Sequence, residues 1–319
     1  VSGGSYGNNQ GEDIVSWYYG GYVQDDFRVS DRLTINAGIR YEVFRKGIFP
    51  EVEKQSVGRY NLGTESFEFP TSSGSCGCEN DLNNWAPRLG LAYQMNDRTV
   101  IRAGAGIMYG EPNSLSTDGA NYRSGAPKSQ DVAIPQNFET TTQLVRNGFP
   151  AFSNAAIARG IEVYVFPNRR SNLYATQYFF DLQRNLPGDM LLTLGYIGTK
   201  STSLSMIRNI NQPLTPSATV AANQRLIRPQ FGAVSMHENG LNANYNAFTA
   251  KAERRFSSGF TLLSSFTWAH NIDYGNEDLL DGTPGNATPY DMRREKASST
   301  LDRRLGFVTS AVYELPFGR

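Results

Sequence analysis

The strongest constraint on this chain is a repeated pattern: segments of about ten residues in which apolar and polar side chains alternate, as half-exposed β-strands require. Trp17, Tyr19, Val23 and Phe27 share one phase. Across a turn at 29–32, Leu33, Ile35, Ala37, Ile39 and Tyr41 share one phase against Thr34, Asn36, Arg40 and Glu42. A second hairpin runs through Trp85, Leu89, Leu91 and Tyr93, turns at 95–98, and returns through Ile101, Ala103, Ala105, Ile107 and Tyr109. Its other face carries Arg88, Gln94 and Arg102. Tyr174, Tyr178, Phe180 and Leu182 lead to a turn at Pro187 and Gly188, with Leu192, Leu194 and Tyr196 beyond it. Phe248, Ala250, Ala252 and Phe256 lead through 257–259 to Phe260, Leu262, Phe266 and Trp268. Leu305, Phe307, Ala311, Tyr313 and Leu315 make a ninth, odd strand.

The connections alternate as strictly as the side chains. Four are tight turns, and the four between them are long, roughly 43–84, 110–171, 201–243 and 272–304. Compact soluble domains usually join their elements with about 4 to 6 residues. Transmembrane barrels instead have short periplasmic turns and long extracellular loops. The expected fold is therefore all-β: an antiparallel transmembrane β-barrel fragment of about nine meandering strands.

Composition is compatible with that fold and excludes others. Mean hydropathy is −0.44 and no apolar stretch reaches the ~20 residues of a spanning helix. A barrel wall passes that test unseen, because lipid-facing and lumen-facing residues alternate. Thirty basic and thirty acidic residues cancel, leaving no electrostatic footprint for nucleic acid.

Aromatic placement separates a membrane barrel from a soluble sandwich. Trp17 and Trp85 open strands on the long-connection side and Trp268 closes one there, each in the apolar phase, with Tyr41 and Tyr109 at the same end. Phe27, Tyr93, Phe256 and Phe260 lie near the tight turns. Two belts then bracket an aliphatic band of roughly 20 Å, as bilayer interfaces favour. Trp17, Tyr41, Trp85, Tyr109 and Trp268 are the expected membrane-interface aromatics. Lys251, Glu253 and Arg255 occupy the phase opposite Phe248, Ala250 and Ala252. Arg254, beside a turn, and Asp25, at a possible bulge, are exceptions.

The sequence carries no pattern that supports catalytic chemistry. Gly3-Gly4-Ser5-Tyr6-Gly7 matches a nucleophile-elbow pattern but has no helix-forming sequence after it. His237 and His270 lack a second ligand at metal spacing, and Cys76 and Cys78 are too few for a zinc site, leaving a loop disulfide or a partial ligand pair open. Asp273, Asn276, Glu277, Asp278 and Asp281 fit no calcium-loop spacing. Asn286-Ala287-Thr288 is a glycan acceptor only in a eukaryotic secretory setting, and Arg293, Arg294, Glu295 and Lys296 read as solvated loop surface. No cofactor, catalytic residue or metal site is expected.

The stretches WYYGGYVQDDFRVSDRLTINAGIRYEVF, NNWAPRLGLAYQMNDRTVIRAGAGIMYG, LLTLGYIGTKSTSL, YNAFTAKAERRFSSGFTLLSSFTWAHNID and RRLGFVTSAVYELPFGR resemble the TonB-dependent outer-membrane receptors, specifically the Oar-like group. The first two are the most specific, and together the five span nearly the whole chain. The resemblance implies barrels of about 22 strands, so residues 1–319 are expected to be part of such a barrel, without plug, N-terminal domain or C-terminal strands. It further implies bacterial outer-membrane localisation, with outer-membrane lipid, an unknown solute, and TonB with ExbB and ExbD as partners. The expected function is TonB-energised uptake of a scarce solute. Loop aromatics Tyr60, Phe67, Tyr122, Phe138, Phe231 and Tyr290 are the candidate ligand contacts. A passive pore or adhesin barrel, and a secreted glycan-binding β-protein, are the alternatives.

Overall fold

The computed structural model describes residues 4–7, 15–48, 59–68, 79–110, 131–134, 163–165, 167, 170–215, 217–257, 259–274, 290–315 and 317. Nine long strands carry the architecture. They are β1 (Val15–Ser30), β2 (Leu33–Ile48), β3 (Trp85–Asn96), β4 (Thr99–Tyr109), β5 (Tyr174–Leu186), β6 (Met190–Asn209), β7 (Val234–Ser257), β8 (Phe260–Asp273) and β9 (Leu305–Tyr313). Each pairs antiparallel with the next in sequence, giving an uninterrupted meander. Among the described residues β1 and β9 do not meet, so the sheet is open at both.

Directly paired residues project from the same side of a sheet, so the register decides whether nine separate alternations add up to one wall. They do. One row runs from Phe27 through Ile35, Leu91 and Phe180 to Trp268 and Leu305, apolar throughout. The adjacent row, on the other face, holds Asp26, Asn36, Gly90, Gly104, Phe179 and Ile197. A slip of one residue in any pair would transpose the faces.

Two of the tight turns are shorter than the sequence suggests, with Asp31–Arg32 and Asp97–Arg98 each closing a hairpin, and 187–189 closes β5 to β6 around Pro187 and Gly188. In the last, Gly188 (φ 80°) and Asp189 (φ 58°) both adopt the left-handed region, which glycine enters freely and aspartate tolerates. A close approach fixes a second glycine. A Cβ on Gly104 would lie 2.7 Å from Cε1 of its cross-strand partner Phe179, whose ring covers the bare backbone.

The main difference from the sequence expectation lies in the third long connection. β6 and β7 continue to Asn209 and from Val234, so the link between them is 210–233 rather than 201–243. Their outer parts, SLSMIRN and SMHENG, have no continuous apolar face. Ladder hydrogen bonds hold them as an arm beyond the region where a lipid-facing stripe is needed. The arm begins at a register shift between Ser201 and Leu204, where Ser203 has φ 59°.

The facing rule yields a direct test. Leu194, on the apolar face between the two belts of aromatics, should tolerate arginine badly: Leu194→Arg is expected to lower unfolding stability by about 2–4 kcal/mol. Thr193→Arg, its neighbour on the other face, should change it little. Urea titration of the folded protein in micelles, followed by heat-modifiable migration, measures both, and equal losses would refute the assignment of faces.

Candidate functional site

The aromatic side chains at the strand ends come together as the sequence suggests, though not along one straight row. Tyr41 and Trp85 are register partners with ring centroids 4.4 Å apart, and Tyr109 and Tyr174 are partners at 5.4 Å. Trp17 stands four residues nearer the long connections than the row through Tyr41, which crosses β1 at Gly21. Trp268 belongs to the row through Leu91, six residues nearer the tight turns than Trp85. From β1 to β8 the indoles thus descend about 1.4 residues per strand. With a rise of ~3.3 Å and a strand spacing of ~4.8 Å, that stagger corresponds to a tilt of roughly 45°, the upper end of the range for barrel walls. Tilted so, the three indoles lie near one level. All are exposed, at 51%, 52% and 62% for Trp17, Trp85 and Trp268.

A parallel line through Tyr93 passes near Phe260 and Tyr313, whose rings meet edge to face at 6.4 Å. It also accounts for Asp25. No bulge displaces this residue, which pairs with Ala37 in unbroken register within the apolar phase. The same stagger puts Asp25 at the level of the turn-side aromatics, where the cost of a charge is small.

Beyond the indole level, segments of different long connections are built into one assembly. Val163–Val165 pairs in parallel with Val234–Met236, covering the edge that the β7 arm would otherwise expose. Val163, Val165, Phe231 and Val234 form a buried cluster, with Leu62, Ile210 and Met236 packed against it. Polar staples hold its rim. Buried Asn211 directs Nδ2 at the carbonyls of Arg228 (3.0 Å), Phe231 (3.3 Å) and Gly232 (2.8 Å), and its Oδ1 accepts from the Arg228 amide at 2.7 Å. Arg228 reaches Glu65 at 3.0 Å, tying in the first long connection. Buried Asn84 and Asn172 join at 3.0 Å, and Asp81 accepts from the Asn172 amide at 2.9 Å, linking the ends of the first and second. None of these asparagines carries a local sequence signal, since their partners lie up to 91 residues away.

The last long connection is clipped to β8 by Asp302. Its carboxylate accepts from the Asn271 amide at 2.8 Å and from Arg304 Nε at 3.2 Å, with His270 Nδ1 at 3.8 Å. The Asn271 hydrogen bond, then Arg304 and His270, hold this carboxyl below the usual aspartate range, against an opposing effect of burial.

The wall opposite the apolar face is mixed, with exposed Phe179, Ile197, Leu263 and Val308 among polar side chains, and unevenly filled. Near β1, Arg40 Nε meets Glu42 at 2.7 Å, and the Tyr18 hydroxyl donates to Glu42 at 2.5 Å. Across β3 and β4 the bare backbone at Gly90, Gly104 and Gly106 leaves a depression of about 550 Å³, bordered by Arg88, Gln177 and Phe179.

The expected ligand-contact residues fall in different places. Tyr290 is exposed, with its hydroxyl 2.8 Å from the Gln212 carbonyl and 3.0 Å from that of Ile210. Phe231 is 5% exposed and serves the buried cluster, where its ring supports the loops from within. Tyr60 and Phe67 are partners in a two-stranded ladder, Arg59–Asn61 with Ser66–Glu68. Tyr122 and Phe138 lie outside the described residues, as do Cys76 and Cys78. Among the described residues no three His, Cys, Asp or Glu side chains gather as metal ligands.

A family model described as outer membrane beta barrel domain matches residues 2–319. Among solved structures, the chain is similar to the alcaligin outer-membrane receptor FauA of Bordetella pertussis (14% identity, TM-score 0.45, 96% of this chain and 36% of that one). It is also similar to the ferripyoverdine receptor of Pseudomonas aeruginosa (13%, 0.46, 95% and 26%) and the FrpB iron transporter of Neisseria meningitidis (12%, 0.44, 82% and 27%). The chain thus spans between 26% and 36% of the length of these proteins. No curated protein matches it.

Two outcomes test the loop-side geometry. Asn211→Ala removes a buried group serving several backbone partners, and should cost about 1–3 kcal/mol locally, read as faster tryptic cleavage after Arg225; unchanged cleavage would contradict the staple. Because the Asp302 carboxyl is lowered by folding, its contribution is complete above the unfolded value of about 3.9 and fades as pH falls through the lower folded value. Amide exchange at 299–304, corrected for intrinsic rate, should show steady protection from neutrality down to about pH 5 and loss in stronger acid. Asp302→Asn should lack that protection throughout.

Proposed function

The chain belongs to the outer membrane beta barrel domain family, and on that premise we propose that it forms part of a TonB-energised receptor for a scarce solute. Its place is the outer membrane. Residues 1–319 contribute a run of barrel wall and the loops above it, while a plug contacted by TonB, with ExbB and ExbD supplying the energy, completes the transporter.

The observation that carries this reading is the loop assembly. A channel that merely admits small solutes needs a polar lumen and little else. Here separate connections are packed around Val163, Val165, Phe231 and Val234 and stapled by Asn211, Asn84 and Asn172. Ordering loops in advance removes part of the entropy cost of capturing a ligand, which matters when the ligand is dilute. Tyr290 and the loop aromatics Tyr60, Phe67, Tyr122 and Phe138 are the proposed ligand-facing residues, while Phe231 lies in the buried cluster. Trp17, Tyr41, Trp85, Tyr109 and Trp268 are the proposed membrane-interface anchors. No step of this function calls for a catalytic residue or a cofactor.

Planar-bilayer recording of the complete protein tests the reading against a passive pore. A plugged receptor should show no steady conductance until it is denatured or its plug is removed. Lasting open-channel current from the native protein would sink it. In the host, loss of this gene and loss of TonB should give the same, non-additive growth defect on one limiting nutrient.

A further inference from the structure

We infer that Arg184 and Arg254 form a binding site for the phosphate of an anionic phospholipid, on the lipid-facing side of the wall at the end of the tight turns. Both belong to the apolar phase. Arg184 pairs with Thr99 and, on its other side, with Leu192; Arg254 pairs with Met190 and Leu262. The stagger set by the three indoles places them at one depth: Arg254 lies two strands on from Arg184 and two residues nearer the turns, close to the descent of the indoles. That depth is the level of Tyr93, Phe260 and Tyr313, an aromatic belt of the kind that lies among lipid headgroups.

Two cations stand here without a counter-charge among the described residues. Among the described residues neither arginine makes an ion pair. Asp189 stands in the intervening turn without bonding to either, and Glu253 faces the other side with Lys251 at 3.0 Å. Arg254 lies over the Phe260 ring, 5.4 Å from its centroid, and its Nε is buried with no hydrogen-bond acceptor. Thr99 Oγ1, on the residue paired with Arg184, is also buried without a partner. A lone lipid-facing arginine at the interface is explained by its long stem reaching water. Two at one depth on the lipid-facing side, without a carboxylate partner among the described residues, fit the phosphodiester of an anionic lipid.

Native mass spectrometry of the complete protein in detergent, titrated with phosphatidylglycerol, tests the site. Each basic residue at a lipid surface contributes about 1 kcal/mol, so Arg184→Gln with Arg254→Gln should weaken the tightest phosphatidylglycerol binding by about thirtyfold. Phosphatidylcholine binding should be weaker in the parent and little changed. Arg184→Lys with Arg254→Lys, which keeps the charge, should recover most of the affinity, and heat-modifiable migration identifies folded samples. Lys251→Gln, on the opposite face, should bind as the parent does. Equal affinity of the parent and the folded glutamine variant for phosphatidylglycerol would overturn the site. So would displacement of the lipid by inorganic phosphate at matching concentration, which would mark a free-anion site instead.

Discussion

Everything in this wall depends on the demand that backbone amides and carbonyls be satisfied where there is no water. In hydrocarbon each unpaired group costs several kcal/mol, so a crossing strand must find a partner on both sides. The meander meets that demand locally, because every hairpin supplies the next strand of the ladder. Antiparallel pairing also fixes which residues share a face, so the alternation within one strand becomes a continuous apolar surface across nine. Edge strands β1 and β9, which do not meet among the described residues, carry the same demand along their outer edges.

Outside the hydrocarbon the demand relaxes, and the architecture changes with it. The β6–β7 arm keeps its ladder but loses its apolar stripe, since water can now serve one face. Its free edge still needs covering, and Val163–Val165 of an earlier connection does so. Stability there comes from a small cluster of Val and Phe side chains plus asparagines that serve several backbone groups at once. Loops of such length would otherwise lose too much entropy on ordering. The packing that orders them also removes Phe231 from the surface, so one aromatic ring can hold a loop in place or meet a ligand but not both.

How much of this was legible beforehand follows from which interactions are local. All nine strands, their phases and the alternation of turns and long connections could be read, since period two is written within each segment. Strand ends in lipid were legible because the apolar stripe stops there. The arm was not: residues 201–209 and 234–243 alternate without an apolar face, so pairing alone marks them as strand. The joining of Asn84 to Asn172, or of Arg228 to Glu65, is a meeting of distant residues that no spacing announces. The tilt, too, lies in the register between strands, so the indoles could be placed at one end of the wall but not on their diagonal.

That diagonal gives the polar exceptions a common explanation. Asp25, Arg184 and Arg254 each break the apolar phase of a crossing strand, and in isolation each invites a separate excuse, such as a bulge for the first and a long stem for the last. Measured along strands tilted by roughly 45°, they fall at the turn-side aromatic level, and the band between that level and the indoles contains no charged residue in the apolar phase. The cost of a charge on a barrel wall depends on depth, from about 2–4 kcal/mol for a basic residue at the midplane to near zero at the interface. A wall selected under that profile can carry charge at its margins and nowhere between. On the tilt that levels the indoles, the exceptions therefore fall where the hydrocarbon ends, beside the turn-side aromatic residues.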